Sequence, residues 1–424
     1  MFYKLLLLFL LYIPFQLAFN ASEGFDLASG RVFVLLLVII WLLKSLAQKK
    51  LFLPNKIQTL LLLSFLFLSA FSFVFAQNTE WAYRKLLFLL SFIPLYFIVA
   101  DIAQDKERVK RIIEFLVYGA GLISLVGIFQ FILQFLVGIN ETLKFWQKVI
   151  TPFLGNSFSE SVFQYSSWLV AVSGNTYMRA IAFFPDPHIF SFYLGMLLPF
   201  SIALCLKYKP TKKVFFYLFL FISASILVSD ILTFSRGGYL GLLAGLIFVL
   251  FAFRNKIIGS FSLKKFIAIN IFILIVASAI ILPNPASNRL VSSFDAGEGS
   301  NAGRFENWNQ SLEVIKNNPL GVGIGNYSLE IKPSADYREP IYSHDLYLDI
   351  AAETGIINAL IFIWLIIASV FGFTKLGKTN KFWMAGAVSL AIFSIHSIFE
   401  TPLYSVHTFP LFLIIVALST IENE

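Results

Sequence analysis

Cysteine is almost missing from this chain: the only one, Cys205, sits inside an apolar run. That excludes an internal disulfide and any metal site built on cysteine. Charge is scarce too, at 13% of residues, where soluble domains carry about 25%. There is no internal repeat, low-complexity tract or separate polar domain, so residues 1–424 read as one domain. Three short loops, ASEGFDLASG, QNTEWAY and ETP, lack lysine and arginine altogether. The net charge of +8 is therefore unevenly spread, and it does not point to nucleic acid as a partner.

What is abundant is apolar: 58% of the residues are hydrophobic. They fall into blocks of about 20 residues, each long enough to cross a ~30 Å hydrocarbon core. The blocks do not alternate apolar and polar residues, which excludes a β-barrel. The pattern predicts an all-α polytopic membrane protein of about twelve spans. They fall near 2–19, 31–47, 58–76, 84–103, 112–138, 188–206, 214–232, 236–253, 265–282, 345–372, 382–398 and 404–421. The first block is longer than a signal-peptide core and lacks a good cleavage site, so it reads as a span. Lysine and arginine crowd into alternate loops: Lys49, Lys50 and Lys56; Lys106 to Arg111; Lys207 to Lys213; Arg254 to Lys265; Lys375 to Lys381. The positive-inside rule makes these loops and both termini cytoplasmic.

Two outer segments are too long to be mere connectors, and long loops in compact folds are usually functional. The first, 139–187, opens on an amphipathic piece (Thr142 to Phe153) and closes on RAIAFFPDPH. The second, 283–344, contains GRFENWNQSLEVIK, with Phe305, Trp308, Leu312 and Ile315 at helical spacing. That helix is expected to lie along the membrane surface or to cap the bundle. The same loop then runs through three alternating glycines (Gly321, Gly323, Gly325), which suit a tight, close-packed turn.

Ser343-His344-Asp345 opens the tenth apolar run. Ser343 is a candidate N-cap, which would put His344 in the first helical turn, where the helix dipole favours a neutral imidazole. A neutral histidine at this face is a candidate general base. Lysine and arginine are otherwise rare outside the cytoplasm, so those present need reasons. Arg236, in FSRGGYLG, is either a headgroup anchor or an anion ligand, with Ser235 capping its helix and Gly237-Gly238 allowing close approach. Arg304, Arg179 and Arg289 are further candidates, and guanidinium groups bind diphosphate through bidentate hydrogen bonds. His188 reads as a helix-start residue, and His396 and His407 read as inter-helix hydrogen-bond partners. Asp349 and Glu353 read as packing partners pointing away from His344, not as a catalytic dyad. No set of side chains has metal-ligand spacing, so no metal is expected.

Together these patches resemble the O-antigen ligase and O-antigen polymerase superfamily of bacterial membrane proteins. The resemblance rests on FSRGGYLG, on GRFENW followed by NPLGVGIGNY, on SHDLYLDIAAETGIINAL, and on RAIAFFPDPHIFSFYLG. Asp345 stands where the family usually has Asn, and His188 and Ala182 replace its Asn and Gly. The resemblance implies a GT-C-like bundle in the bacterial cytoplasmic membrane, with an extracytoplasmic active site and no cofactor. It implies transfer of a glycan from an undecaprenyl-diphosphate carrier to an acceptor hydroxyl on lipid A core, another lipid-linked glycan or a protein. On that pattern His344 takes the acceptor proton and Arg236 and Arg304 hold the diphosphate, with Arg179 assisting. Ser235, Arg289, Asp345 and Tyr347 would support them. Ligase and polymerase share these residues, and the long loop before the tenth span favours a ligase. A transporter or lipid flippase is the alternative of another class, but it would place its charges at midplane instead of at one face.

Overall fold

The computed structural model describes residues 2–22, 25–164, 167–172, 174–208, 212–252, 254, 299–337 and 340–421. These are mostly helical. The chain runs α1 (Phe2–Tyr12), α2 (Ser29–Ala47), α3 (Ile57–Phe71), α4 (Thr79–Phe92), α5 (Pro94–Ile102) and α6 (Lys106–Val137). It continues through α7 (Ile139–Leu154), α8 (Asn156–Gln164), α9 (Pro187–Tyr208), α10 (Lys213–Ile231) and α11 (Arg236–Ala252). After the stretch 255–298 come α12 (Gly299–Asn317), α13 (Tyr327–Ile331), α14 (Leu346–Thr354), α15 (Ile356–Thr379), α16 (Met384–His396) and α17 (Thr408–Leu418).

Among the described residues, seven helices are long and apolar enough to cross a membrane. Four shorter apolar helices (Phe2–Phe15, Arg236–Ala252, Lys381–His396, Thr408–Leu418) fall on the other expected spans, and the expected span at 265–282 lies outside the described residues. Two strand pairs depart from the all-α expectation. Antiparallel hairpins β1 (Ala18–Ser22) with β2 (Phe25–Ala28), and β3 (Leu169–Val172) with β4 (Asn175–Met178), form in inter-span segments where backbone groups would otherwise go unpaired.

The packing has a centre. In α9, 78% of the spanning window is buried, against 28–50% in the other six long helices. It packs on α10, α16, α6 and α11. Every residue of α17 is buried as well. Leu43, Leu46, Phe67, Val74, Leu136 and Phe371 instead stand exposed on the outside of the bundle, as lipid-facing residues do.

Local signals explain the ends. Asp105 caps α6 through the amides of Glu107 and Arg108, and Asn78 caps α4. Gly138, at φ +88°, separates α6 from the amphipathic α7. The expected surface helix is present as α12, but its buried face is Ser311, Val314 and Ile315, while Phe305 and Leu312 stand exposed. The 305/308/312/315 stripe is therefore rotated from the real contact face: α12 packs against α14, and Ser311 bonds the Tyr327 hydroxyl at the start of α13.

The glycine loop is as tight as its sequence implies. Gly321 and Gly323 have φ of +90° and +97°, and a Cβ on Gly321 would lie 2.5 Å from the Glu353 carbonyl oxygen. The amides of Val322 and Gly323 donate to the carbonyls of Ala352 and Glu353, the last turn of α14. Ile356, the first residue of α15, donates to Pro319. The expected tenth span is therefore two helices, divided at Gly355 (φ +94°) and fastened there to the loop.

Candidate functional site

The first turns of α9 and α11, the end of α16, the start of α14 and one side of α12 meet at one end of the bundle. The lysine-rich connections lie at the opposite ends of the same helices: His188 is in the first turn of α9 and Lys207 in its last.

His344 does not sit where its sequence context suggested. The N-cap is Asp345, whose carboxylate accepts from the amides of Tyr347 and Leu348. Serine and aspartate both cap well, but here Asp349 holds the Ser343 amide in the preceding turn, so the helix starts two residues later than expected. His344 lies before it, in the left-handed region at φ +58°. That strained turn is held by hydrogen bonds between Ser343 and Asp345 and by Asp349, which accepts from the Ser343 amide at 2.8 Å. Asp349 thus supports the histidine's loop instead of pointing away from it, and it also accepts from Thr401.

The His344 ring is half-exposed, and its Nδ1 lies 3.0 Å from Glu400 Oε2. A carboxylate can only accept, so Nδ1 carries the proton and Nε2 keeps the lone pair when the ring is neutral. Among the described residues, Nε2 has no protein partner. Glu400 raises the imidazole above its ordinary value, outweighing the opposite effects of burial and Arg304. This corrects the expectation of a dipole-lowered histidine: outside the helix, the neighbouring carboxylate dominates.

Glu400 is the hub. Arg304 Nη2 donates to its Oε1 at 2.7 Å, and His188 Nδ1 lies 3.4 Å from the same oxygen. Burial alone would push the Glu400 carboxyl up, but the surrounding histidines and Arg304 hold it well below the usual range. His188 and His344 act most strongly on it, and Arg304, permanently charged, adds to them.

A second line of contacts leads inward. Arg179 Nη2 lies 3.4 Å from His188 Nε2, and a guanidinium can only donate. His188 therefore carries its proton on Nδ1, 3.0 Å from Ser235 Oγ. Ser235 also accepts from the Gly238 amide, as the expected cap of α11. Its own proton is left for His396 Nε2, 3.2 Å away. The contacts form one directed chain, Arg179 to His188 to Ser235 to His396. The His396 ring is stacked on Phe192 with centroids 3.5 Å apart, and its Nδ1 has no hydrogen-bond partner among the described residues.

The other candidates are placed as follows. Arg179 donates to the carbonyls of Thr233 and Ser167, bracing the loop that carries Ser235. Arg236 is buried at the first position of α11, next to Ser235. Gly237 and Gly238 serve helix packing: a Cβ on Gly237 would lie 2.6 Å from the His396 ring. Tyr347 donates to the Ser394 carbonyl of α16, and Glu353 pairs with Lys85 at 2.7 Å, so both hold helices together. His407 bonds the Ile13 carbonyl, as an inter-helix partner should. Arg289 lies outside the described residues.

Sequence reasoning missed Glu400 and ranked His188 as structural. Glu400 lies in the three-residue ETP loop, whose only legible signal was an acidic residue where lysine and arginine are absent. His188 was legible as part of PDPH, but only the fold turns it toward Glu400.

A helical membrane protein with a buried carboxylate gathering histidine and arginine at one rim is the class these features define. Residues 218–363 match the family model described as O-antigen ligase. That match covers about a third of the chain and contains Arg236, Arg304, the glycine loop and His344. It supports the O-antigen ligase and polymerase superfamily as the family of this chain. A comparison with curated proteins gives no match.

Proposed function

We propose that the protein is a glycosyltransferase of the ligase type, moving a glycan from an undecaprenyl-diphosphate carrier to an acceptor hydroxyl at the outer face of the bacterial cytoplasmic membrane. One observation carries this reading. His344 and Arg304, on different elements, meet on the two oxygens of the single carboxylate of Glu400. A general base and an anion ligand thus share one small space, as transfer from a diphosphate carrier requires.

His344 Nε2 takes the acceptor's proton as the acceptor oxygen forms its bond to the anomeric carbon. The bond from that carbon to the phosphate oxygen breaks, and undecaprenyl diphosphate leaves with the electron pair. Arg304, with Arg236 beside the neighbouring helix start, stabilises the departing charge. The proton on His344 passes to solvent through the exposed side of the ring. The diphosphate is already an activated leaving group, so base and charge stabilisation are the main tasks. His188 and Arg179 position Ser235 and Glu400.

A polymerase would use the same groups with a second lipid-linked chain as acceptor. The test supplies purified protein with undecaprenyl-diphosphate glycan and either lipid A core or a second lipid-linked glycan, with chelator present. Product on lipid A core supports the ligase, product on the lipid-linked chain means a polymerase, and no product with any hydroxyl acceptor overturns the reading.

A further inference from the structure

We infer that Glu400 is a positioning residue that holds the place of the donor's diphosphate before the donor binds, and that donor binding transfers it from Arg304 to His344. This rests on the function proposed above. Glu400 is nearly buried, and it meets Arg304 on Oε1 and His344 on Oε2. A buried arginine without an anion is costly, and Glu400 supplies that anion while no substrate is present. A diphosphate offers Arg304 more charge and more oxygens than one carboxylate oxygen does. Once Arg304 turns to the diphosphate, the Glu400 charge is left to His344 Nδ1–H. It then orients the ring with Nε2 toward the acceptor and stabilises the imidazolium formed as the proton is taken. The base becomes strongest only when a donor is present to use it.

The groups facing this carboxylate come from every neighbouring element. They are Asp186 and His188 around the start of α9, Arg304 on α12, His344 before α14 and His396 at the end of α16, with Arg179 behind His188 and Asp349 behind His344. Glu400 touches both His344 and Arg304, and no contact of Asp186 with either is seen among the described residues. Burial pushes Asp186 up to about 6, against the amides of Ile189 and His188 that it caps. The acid partner of the base is therefore Glu400, not Asp186.

The experiment compares wild type, Glu400→Gln and Glu400→Asp in the full-length protein in detergent micelles, with farnesyl diphosphate as the binding probe. Glu400→Gln should bind the probe several-fold more tightly, because the competing anion is gone. Its kcat should fall roughly 10²-fold or more, as when the orienting acid of a catalytic histidine is lost. The acid limb of its pH–rate profile should move to lower pH. Glu400→Asp should recover part of kcat and return the limb toward wild type. Unchanged or weaker probe binding in Glu400→Gln, with the acid limb unmoved, overturns the inference even if kcat falls, because that pattern means lost packing. Arg304→Ala separates the two readings. If it abolishes probe binding while Glu400→Gln leaves binding unaltered, only the exchange fails. If Arg304→Ala binds the probe normally, the proposed function fails with it.

Discussion

His344 and Glu400 lie 56 residues apart and are joined by a 3.0 Å contact from Nδ1 to Oε2. That contact fixes which ring nitrogen is available for chemistry. It also places the carboxylate partner of the histidine in a connecting loop of the bundle, distant in sequence from the helix that follows the histidine.

His344→Ala should abolish glycan transfer, with a loss of about 10²–10⁴ in kcat. Protein level and membrane insertion should be normal, since the ring is half-exposed and lies in a loop before its helix. Product analysis with lipid-linked donor checks it, and retained activity removes His344 from the mechanism.

The pH dependence follows from the direction of the shift. Glu400 raises His344 above its ordinary 6.5. Transfer needs the neutral ring, so the rate should climb with pH through a midpoint above that value. The stability linkage runs the other way. The His344–Glu400 attraction is fully present below about 6.5 and is lost as pH rises through the higher folded value. Thermal unfolding and initial rates, each measured from pH 5 to 9, should therefore trend oppositely. A rate midpoint at or below 6.5 contradicts the placement of Glu400.

Arg304→Lys and Arg236→Lys test the anion ligands. A point charge cannot reproduce the planar fork of a guanidinium, so each should raise KM for the donor and lower kcat/KM by roughly tenfold or more. Normal donor affinity in Arg236→Lys would leave Arg236 as an anchor at the start of its helix.

Gly321→Ala probes the clasp beneath the site. The new Cβ would meet the Glu353 carbonyl at 2.5 Å, from a backbone at φ +90°. Backbone cannot move aside as a side chain can, so a loss of about 2 kcal/mol or more is expected. It should appear as a lower Tm in detergent, with activity falling in parallel as α14 shifts.

How much of this was legible in the sequence varies by feature. Most of the apolar helices could be read, because bilayer thickness acts on local composition, although the tenth expected span is two helices. The glycine loop could be read because only glycine tolerates such backbone angles. His344, Arg304, Arg179 and Ser235 stood out as polar residues in unusual places, and the structure brings them into one contact network. The start of α14 could not be read. Serine and aspartate two apart both cap well, and the choice was settled by Asp349 pulling Ser343 into the turn before the helix. Glu400 was invisible for a different reason. Its meaning lies in three partners from three distant stretches, and no local pattern marks a residue whose neighbours are all long-range.

The division at Gly355 matters for life in a bilayer. Carbonyls at the end of α14 are taken by amides of the 321–323 turn, and the first amide of α15 by Pro319. The short helix that follows the His344 turn and the long rod behind it are thus pinned to the same glycine-rich turn. A tilt of the longer rod in a thicker or thinner bilayer would therefore load this seam before it reached the imidazole and the carboxylate.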